Sequence, residues 1–234
     1  MYLFMPRDLC RTFVHALNFL RSLYCDFSGF IKKTCLSLFL PCLVPPVVPK
    51  IDLVIAISSV SSSADEVFQK TQDAVTSIID RYGTNDIHYA VILFGSDAQA
   101  FIDFDSYTTS EELNEMFSSM RRLKGGPVLD EALKLAGQVF TSPGARSDAH
   151  KVLVVITDKK TSSELDDVIS EANKLEDMEV VVIPVGIGAE IDGKELEELT
   201  PDVTDVIAIS RVLNPDDLGR KIMEKVLKGI GRGL

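Results

Sequence analysis

The chain has 234 residues, with 24 Lys and Arg against 35 Asp and Glu, which leaves a formal net charge of −11. Hydrophobic residues make up 46% and charged residues 25%, ordinary values for a globular protein that exclude a wholly disordered chain. The charge is divided unevenly, because residues 1–50 hold six basic and two acidic side chains, whereas residues 51–234 hold 18 basic and 33 acidic ones. Since a body with a net charge of −15 repels a phosphate backbone, we expect no nucleic acid among its partners.

Residues 1–49 have the composition of a basic, apolar leader. Residues 8–24 place apolar side chains at helical spacing with Arg11, His15 and Arg21 between them, a pattern typical of a membrane-surface helix or a targeting segment. Lys32 and Lys33 then precede the apolar residues 35–44, which is the order of a signal peptide. Three interpretations stay open: a disordered tail or wrongly assigned start, a secretory signal or membrane anchor, and an organellar presequence.

The lengths of the apolar runs and the positions of the cysteines exclude several kinds of structure and site. No apolar run reaches the roughly 20 residues that a membrane-spanning helix needs. All four cysteines fall in the leader, at positions 10, 25, 35 and 42. A thiol nucleophile, an internal disulfide and a zinc–thiolate site are therefore excluded for residues 51–234.

The body alternates apolar runs with amphipathic segments. Continuous apolar runs predict strands over residues 52–59, 89–94, 152–156, 180–185 and 203–209, with a short hairpin strand over 99–104. Apolar side chains at helical spacing predict the intervening helices, which begin near Ser63, Leu113, Leu129, Leu165 and Asn214. Within the fourth long run, Pro184 predicts a bulge or a strand end.

Strands separated by helices need crossover connections, which predicts an α/β fold with a doubly wound, mostly parallel sheet flanked by helices. In such sheets the functional crevice lies at the carboxyl ends of the strands. Those ends carry Ser58–Ser63, Gly95–Asp97, Asp158–Thr161 and Gly186–Gly188.

Catalytic motifs are lacking in the body. Gly188–Glu195 nearly spells a phosphate-binding loop, but Glu195 stands where the Mg²⁺-binding Ser or Thr belongs. The two histidines of the body, His88 and His150, belong to no nucleophile elbow or other local motif of a catalytic triad. We therefore predict no catalytic residues and no enzymatic activity.

Several segments together resemble a von Willebrand factor type A domain. They are the strand Ile51–Ser59, Gly125-Gly126 ahead of a helix, the strand ending in Asp158, and Val180–Gly188. The resemblance covers roughly residues 50–230, leaves 231–234 as a C-terminal tail, and is greatest to the extracellular branch found in collagens, matrilins and integrin α chains. It implies a Rossmann-like fold with one short antiparallel edge strand, and a ligand site at the top of the sheet that usually holds a metal ion.

The resemblance also implies that this metal-ion-dependent adhesion site is degenerate. The family's first loop reads Asp-x-Ser-x-Ser, whereas alignment puts Ser58 and Val60 at its first two ligand positions and retains only Ser62. Pro127 replaces the family's Thr, and Asp158 matches the last Asp. Because Mg²⁺ requires six oxygens in near-octahedral geometry, we expect Ser62 and Asp158 alone to hold no stable metal, and we predict no cofactor.

Asp158 is followed by Lys159 and Lys160, and two roles remain open for this group. In the first, Asp158 accepts hydrogen bonds from loop N–H groups or caps the next turn. In the second, one of the lysines partly replaces the missing cation. The predicted ligand face comprises the loops Ser58–Ser63, Gly95–Asp97, Gly125–Val128 and Asp158–Thr161.

The loss of the metal and the negative charge of the body predict the kind of partner. We expect a matrix- or collagen-like protein with a basic or mixed surface, because an acidic body repels acidic partners. The predicted function is a non-enzymatic, metal-independent adhesion module that is extracellular or secreted. The alternative is an intracellular or membrane-associated scaffold whose residues 8–48 contact a membrane.

Overall fold

A six-stranded sheet lies at the centre of the computed structural model. The structure describes residues 49–59, 65–123, 125–211 and 214–232, with Asp65 described by its backbone alone. All of these residues belong to one compact unit. The predictions for residues 1–48, the helix cap at Ser63, and the site positions Val60 and Ser62 lie outside the described residues.

Strands and helices alternate along most of the chain. In order, the elements are β1 (Ile51–Ser58), α1 (Asp65–Tyr82), β2 (Ile87–Phe94), β3 (Ala98–Ile102), α2 (Ser110–Ser118), α3 (Leu129–Val139), β4 (His150–Lys159), α4 (Leu165–Asp177), β5 (Val181–Glu190), α5 (Gly193–Glu197), a 3₁₀ turn (Val203–Asp205), β6 (Ile207–Ile209) and α6 (Pro215–Arg232).

The strand order in the sheet is β3-β2-β1-β4-β5-β6. All neighbouring pairs run parallel except β2 and β3, which form the predicted antiparallel hairpin. The prediction of a doubly wound, mostly parallel sheet with one antiparallel edge strand is confirmed. Because the five parallel strands end at the same edge, the loops that follow β1, β2, β4 and β5 gather there.

The sheet is covered on both faces, which explains why β1 is buried along its whole length. Alternate residues of β1 enter different cores. Leu53 and Ile55 pack in the core that includes residues of α1, α2 and α6, whereas Val54 packs in the core of α3 and α4. Helices α1 and α6 approach closely at Gly219, where an added Cβ would lie 2.8 Å from the Ala74 carbonyl oxygen.

One charged residue lies inside β1. Asp52 is fully buried, and its carboxylate accepts hydrogen bonds from the Arg146 side chain (Nε to Oδ1, 2.8 Å) and from the Arg146 backbone N–H (2.6 Å). A second guanidinium nitrogen donates to the carbonyls of Ile51 and Asp86. A buried charge is tolerated here because it is paired and hydrogen-bonded. The pair closes the end of the sheet opposite the predicted ligand face.

The last two strands differ from their predictions. Residues 203–209 were predicted as one strand, but Val203–Asp205 form a 3₁₀ turn and only Ile207–Ile209 join the sheet. The Asp202 side chain accepts the Thr204 N–H at 2.9 Å, which starts the turn and shortens the strand.

In the preceding strand, Pro184 marks neither a bulge nor an end, because β5 continues to Glu190 and takes in the predicted loop Gly186–Gly188. β6 pairs only with residues 185–187, so Pro184 needs no N–H on that side. The register shift between β4 and β5 falls instead between Thr157 and Lys159, and beyond it Lys159 pairs with Glu190.

Candidate functional site

The described parts of the loops predicted to form the ligand face meet at the carboxyl edge of the sheet. The Ser59 hydroxyl accepts the Leu123 N–H at 3.2 Å, and the Val128 N–H donates to the Gly95 carbonyl at 2.9 Å. Gly125 has φ +90°, and a Cβ there would lie 2.5 Å from the Cβ of Ser96. Only glycine satisfies both the left-handed conformation and this close approach. The Ser59 hydroxyl and one backbone hydrogen bond thereby join the described parts of the first three loops.

Pro127 joins the fourth loop to the other three through its carbonyl oxygen. It accepts hydrogen bonds from the Thr161 hydroxyl (2.8 Å), the Ser162 N–H (2.8 Å) and the Ser162 hydroxyl (3.0 Å). The residue that lacks the family's ligating side chain is therefore held by its backbone. Loop 125–128 and the loop after β4 are cross-linked by protein groups.

The same loop caps the amino terminus of α3. Val128, at the N-cap position, supplies no side-chain hydrogen bond of its own. The Thr161 hydroxyl oxygen accepts the Leu129 N–H at 3.2 Å, and the Ser163 hydroxyl accepts the Asp130 N–H at 3.4 Å and donates to the Asp130 carboxylate. These contacts satisfy helix N–H groups that have no partner within the helix.

Glu195 is a functional candidate that the sequence reading missed. Both of its carboxylate oxygens lie 3.2 Å from the Thr161 nitrogen, whose N–H they accept, and the residue is only 4% exposed. Burial raises the pKa of Glu195, since it penalises the charged carboxylate. In the sequence it stood out only as the residue that spoils a phosphate-binding loop. Nothing local pointed to a loop N–H as its partner.

Two positions of the predicted degenerate adhesion site, Ser58 and Asp158, lie beside a very small cavity. Ser58 and Asp158 line this space of about 10 Å³, together with Thr71, Thr157 and apolar residues of β1, α1, β4 and β5. Such a space is about the smallest that can hold one water molecule. The Ser58 Oγ and the Asp158 Oδ1 are buried, and neither has a hydrogen-bond partner within the described residues.

The described donors of this cavity do not fit an Mg²⁺ ion. Asp158 is the one carboxylate in the cavity lining, and Thr71 and Thr157 donate their hydroxyls to the Val67 and Lys159 carbonyls. Within the described ranges, no cluster of three or more His, Cys, Asp or Glu residues could hold a metal ion. Mg²⁺ demands six oxygens in a near-ideal octahedron, which the described donors do not supply.

The two lysines after Asp158 are engaged with acidic residues at the end of β5. Lys159 Nζ lies 3.2 Å from Glu190 Oε2, and Lys160 Nζ lies 3.0 Å from Asp192 Oδ2. The second pair raises the pKa of Lys160 and lowers the pKa of Asp192 through its hydrogen bond. The idea that a lysine replaces the missing cation stays a prediction.

The histidines lie at the opposite edge of the sheet from these loops. His88 is the second residue of β2, and His150 is the first of β4, two residues before the predicted start of that strand. In the sheet register, His88 is level with Asp52 in β1. Burial, followed by the nearby Arg146 charge, lowers the pKa of His88. Neither imidazole is positioned to act at the ligand face.

None of the described helices combines the length and the apolar character that crossing a bilayer requires.

Comparison with known proteins defines the protein family of this fold. The family model of the von Willebrand factor type A domain matches residues 52–219, and the chain belongs to this family. Human collagen α-5(VI) chain is 27% identical over 76% of this chain and 7% of its own length. Human collagen α-1(XX) chain is 30% identical over 75% of this chain and 14% of its own. Human matrilin-1 is 24% identical over 75% of this chain and 36% of its own.

The chain therefore spans a small part of each of these relatives. Among solved structures, proximal thread matrix protein 1 from the mussel byssus superposes with a TM-score of 0.70 at 21% identity, covering 76% of this chain and 48% of that protein. Manganese-loaded TRAP protein of Plasmodium vivax gives a TM-score of 0.62 at 16% identity, covering 76% and 73%. These likenesses agree on the fold. The sequence relatives are matrix proteins, so the predicted resemblance to that branch of the family is confirmed.

Proposed function

We propose that this domain is a non-enzymatic adhesion module of the extracellular-matrix type, which binds a protein partner through the carboxyl edge of its sheet without a metal ion. Membership of the type A family, with collagen and matrilin relatives, supports a protein-interaction role. The observation that carries metal independence is the cross-link between loops, in which one carbonyl, that of Pro127, accepts three hydrogen bonds from Thr161 and Ser162.

This cross-link has a direct consequence for binding. A bound cation would draw the loops after β1, β4 and the 125–128 segment together by sharing ligands among them. Here hydroxyl and backbone groups make that connection, and the described donors supply one carboxylate to the cavity. The face is therefore organised before a partner arrives, which lowers the entropic cost of binding.

The partner's chemistry follows from the charge. Residues 51–234 carry 33 acidic and 18 basic side chains, and Lys159 and Lys160 on the face are paired with acidic residues. We propose a matrix or collagen-like partner with a basic or mixed surface, met outside the cell. Attraction between such surfaces speeds association and weakens as salt rises.

The direct test is solid-phase binding of the full chain to immobilised collagen VI and fibrillar collagen, with Mg²⁺ or with EDTA. We expect saturable binding that EDTA leaves unchanged and that weakens between 50 and 300 mM salt (about 14 to 6 Å in Debye length). Asp97→Lys, on the exposed tip of the loop after β2, should weaken binding roughly tenfold through local charge reversal. Asp177→Lys, at the end of α4 and the opposite edge, is the matched control.

Three results would contradict the proposal. Loss of binding in EDTA would show that a metal is needed. Equal losses in Asp97→Lys and Asp177→Lys would show that binding depends on overall charge and not on the face. Retention of a tagged chain in the cytosol or on the cytosolic face of a membrane would favour the alternative scaffold, with residues 8–48 as its membrane contact.

A further inference from the structure

Thr161 is the residue through which three segments of the face are connected. Its hydroxyl donates to the Pro127 carbonyl at 2.8 Å and accepts the Leu129 N–H at 3.2 Å. The same oxygen accepts the Ser163 N–H at 3.1 Å, which shapes the loop itself. Its backbone N–H, on the other side, points to Glu195. The position of Thr161 therefore decides how loop 125–128 and the start of α3 are held.

Glu195 is held firmly enough to position that N–H. It lies in α5, whose N-cap residue Asp192 accepts the Lys194 N–H at 3.1 Å. The next residue, Leu196, presses on β5, since a Cβ at Gly186 would lie 2.6 Å from the Leu196 Cδ1. With the backbone of α5 packed on the sheet and the carboxylate buried, both oxygens face the Thr161 nitrogen at 3.2 Å.

The charged groups that act on Glu195 come from the two segments packed beside it. Lys160, in the loop after β4, attracts the carboxylate, and Asp192, at the start of α5, repels it. Lys160 and Asp192 also pair with each other at 3.0 Å, so their effects on Glu195 largely offset. Among the described residues, no cation is in an ion pair with Glu195, and a loop N–H is its hydrogen-bond donor.

We infer that Glu195 is a positioning residue for the binding face: its carboxylate fixes Thr161, and Thr161 in turn holds Pro127 and the amino terminus of α3. This inference deepens the proposed function, on which its meaning for partner binding rests. The arrangement does for these loops what a shared metal ion would do, by means of hydrogen bonds alone. It also assigns a role to a buried carboxylate.

A buried carboxylate that positions a loop, and does not itself stabilise the fold, should affect the pH dependence of folding stability in a definite direction. Because burial raises the pKa of Glu195 in the folded state, the native protein binds its proton more tightly than the unfolded chain does. The stability that this proton provides is complete below the unfolded pKa and is lost as pH rises through the raised folded pKa. Above that pH range the charged carboxylate is held at a cost in stability, so neutralising it there should not weaken the fold.

The experiment measures amide hydrogen exchange and the denaturation midpoint in the full chain, comparing the wild type with Glu195→Gln. The exposed Glu197→Gln in the same helix is the matched control. We expect Glu195→Gln to speed exchange at Thr161 and Leu129 about tenfold, because a charge-assisted hydrogen bond becomes a neutral one. The midpoint at pH 7 should stay equal or rise, and its pH dependence above the ordinary Glu pKa should flatten. Glu197→Gln should change none of these readings.

Thr161→Val provides a second, independent readout because it removes the hydroxyl and keeps the N–H and the side-chain shape. We expect fast exchange at Leu129 with protection retained at Thr161. Unchanged protection at Thr161 in Glu195→Gln would overturn the inference, as would faster exchange at every amide together with a lower midpoint. If EDTA abolishes partner binding while this exchange pattern holds, the proposed function fails and the positioning role stands.

Discussion

The buried ion pair between Asp52 and Arg146 allows the most quantitative prediction. The Asp52 side chain is fully buried and that of Arg146 is 18% exposed. The guanidinium makes three hydrogen bonds, to the Asp52 carboxylate at 2.8 Å and to the Ile51 and Asp86 carbonyls at 2.7 and 3.1 Å. Arg146→Met keeps much of the apolar stem but leaves a carboxylate buried beside one backbone N–H. We expect the free energy of unfolding to fall by about 3–5 kcal/mol.

The assay is urea denaturation of the full chain followed by circular dichroism, with each variant compared at pH 7. Lys50→Met removes the partner of Asp148 in an ion pair whose side chains are 54% and 62% exposed, so the free energy of unfolding should change little. The double variant Asp52→Asn with Arg146→Met should be more stable than Arg146→Met alone, because no charge then remains buried. The reasoning is refuted if Arg146→Met loses no more than Lys50→Met, or if the double variant loses more than the single one.

Two further predictions concern the ligand face. Calorimetric titration with Mg²⁺ or Mn²⁺ should detect no saturable binding by the wild type up to millimolar metal. The double variant Ser58→Asp with Pro127→Thr should gain metal binding, since the added carboxylate and hydroxyl oxygens extend the coordination shell of the ion. Adding Asp158→Ala to this variant should remove the binding again. Saturable binding by the wild type that is lost in Asp158→Ala would instead show a working metal site. Gly125→Ala should destabilise the protein by about 1–3 kcal/mol, because φ is +90° and the new Cβ would lie 2.5 Å from Ser96. Gly193→Ala, where a Cβ meets nothing within 4 Å, should be neutral or slightly stabilising in the same denaturation assay, and equal effects at the two positions would contradict this account.

Local patterns were sufficient for most of the architecture. A strand buried on both faces must be apolar throughout, and β1 is buried along all of Ile51–Ser58, as its composition indicates. The alternation of such strands with amphipathic helices requires crossovers, which make the sheet parallel. The prediction was wrong where a side-chain hydrogen bond overrides the apolar pattern. Residues 203–205 have the composition of a strand, but the Asp202 side chain accepts the Thr204 N–H and they form a 3₁₀ helix.

The sequence predicts where the site lies in the fold, but it does not predict which groups form hydrogen bonds there. Strand ends converge by topology, so loops containing Gly95, Gly125 and Asp158 could be expected at one edge. Which groups meet there depends on register and loop path. Glu195 and Thr161 are 34 positions apart, and neither has a neighbour in the sequence that indicates the other.

The same distinction holds for the whole chain. Hydrophobic periodicity indicates how deeply each residue is buried, so composition and spacing are sufficient to predict most of the strands, most of the helices and the parallel arrangement of the sheet. Hydrophobic periodicity does not indicate which residue will be the partner of a buried polar group. Asp52 is placed in an apolar strand by its neighbours, but its carboxylate is compensated by Arg146, 94 residues away. Only the folded chain brings that guanidinium, or the carboxylate of Glu195, within hydrogen-bonding distance, because such bonds require both partners in one geometry.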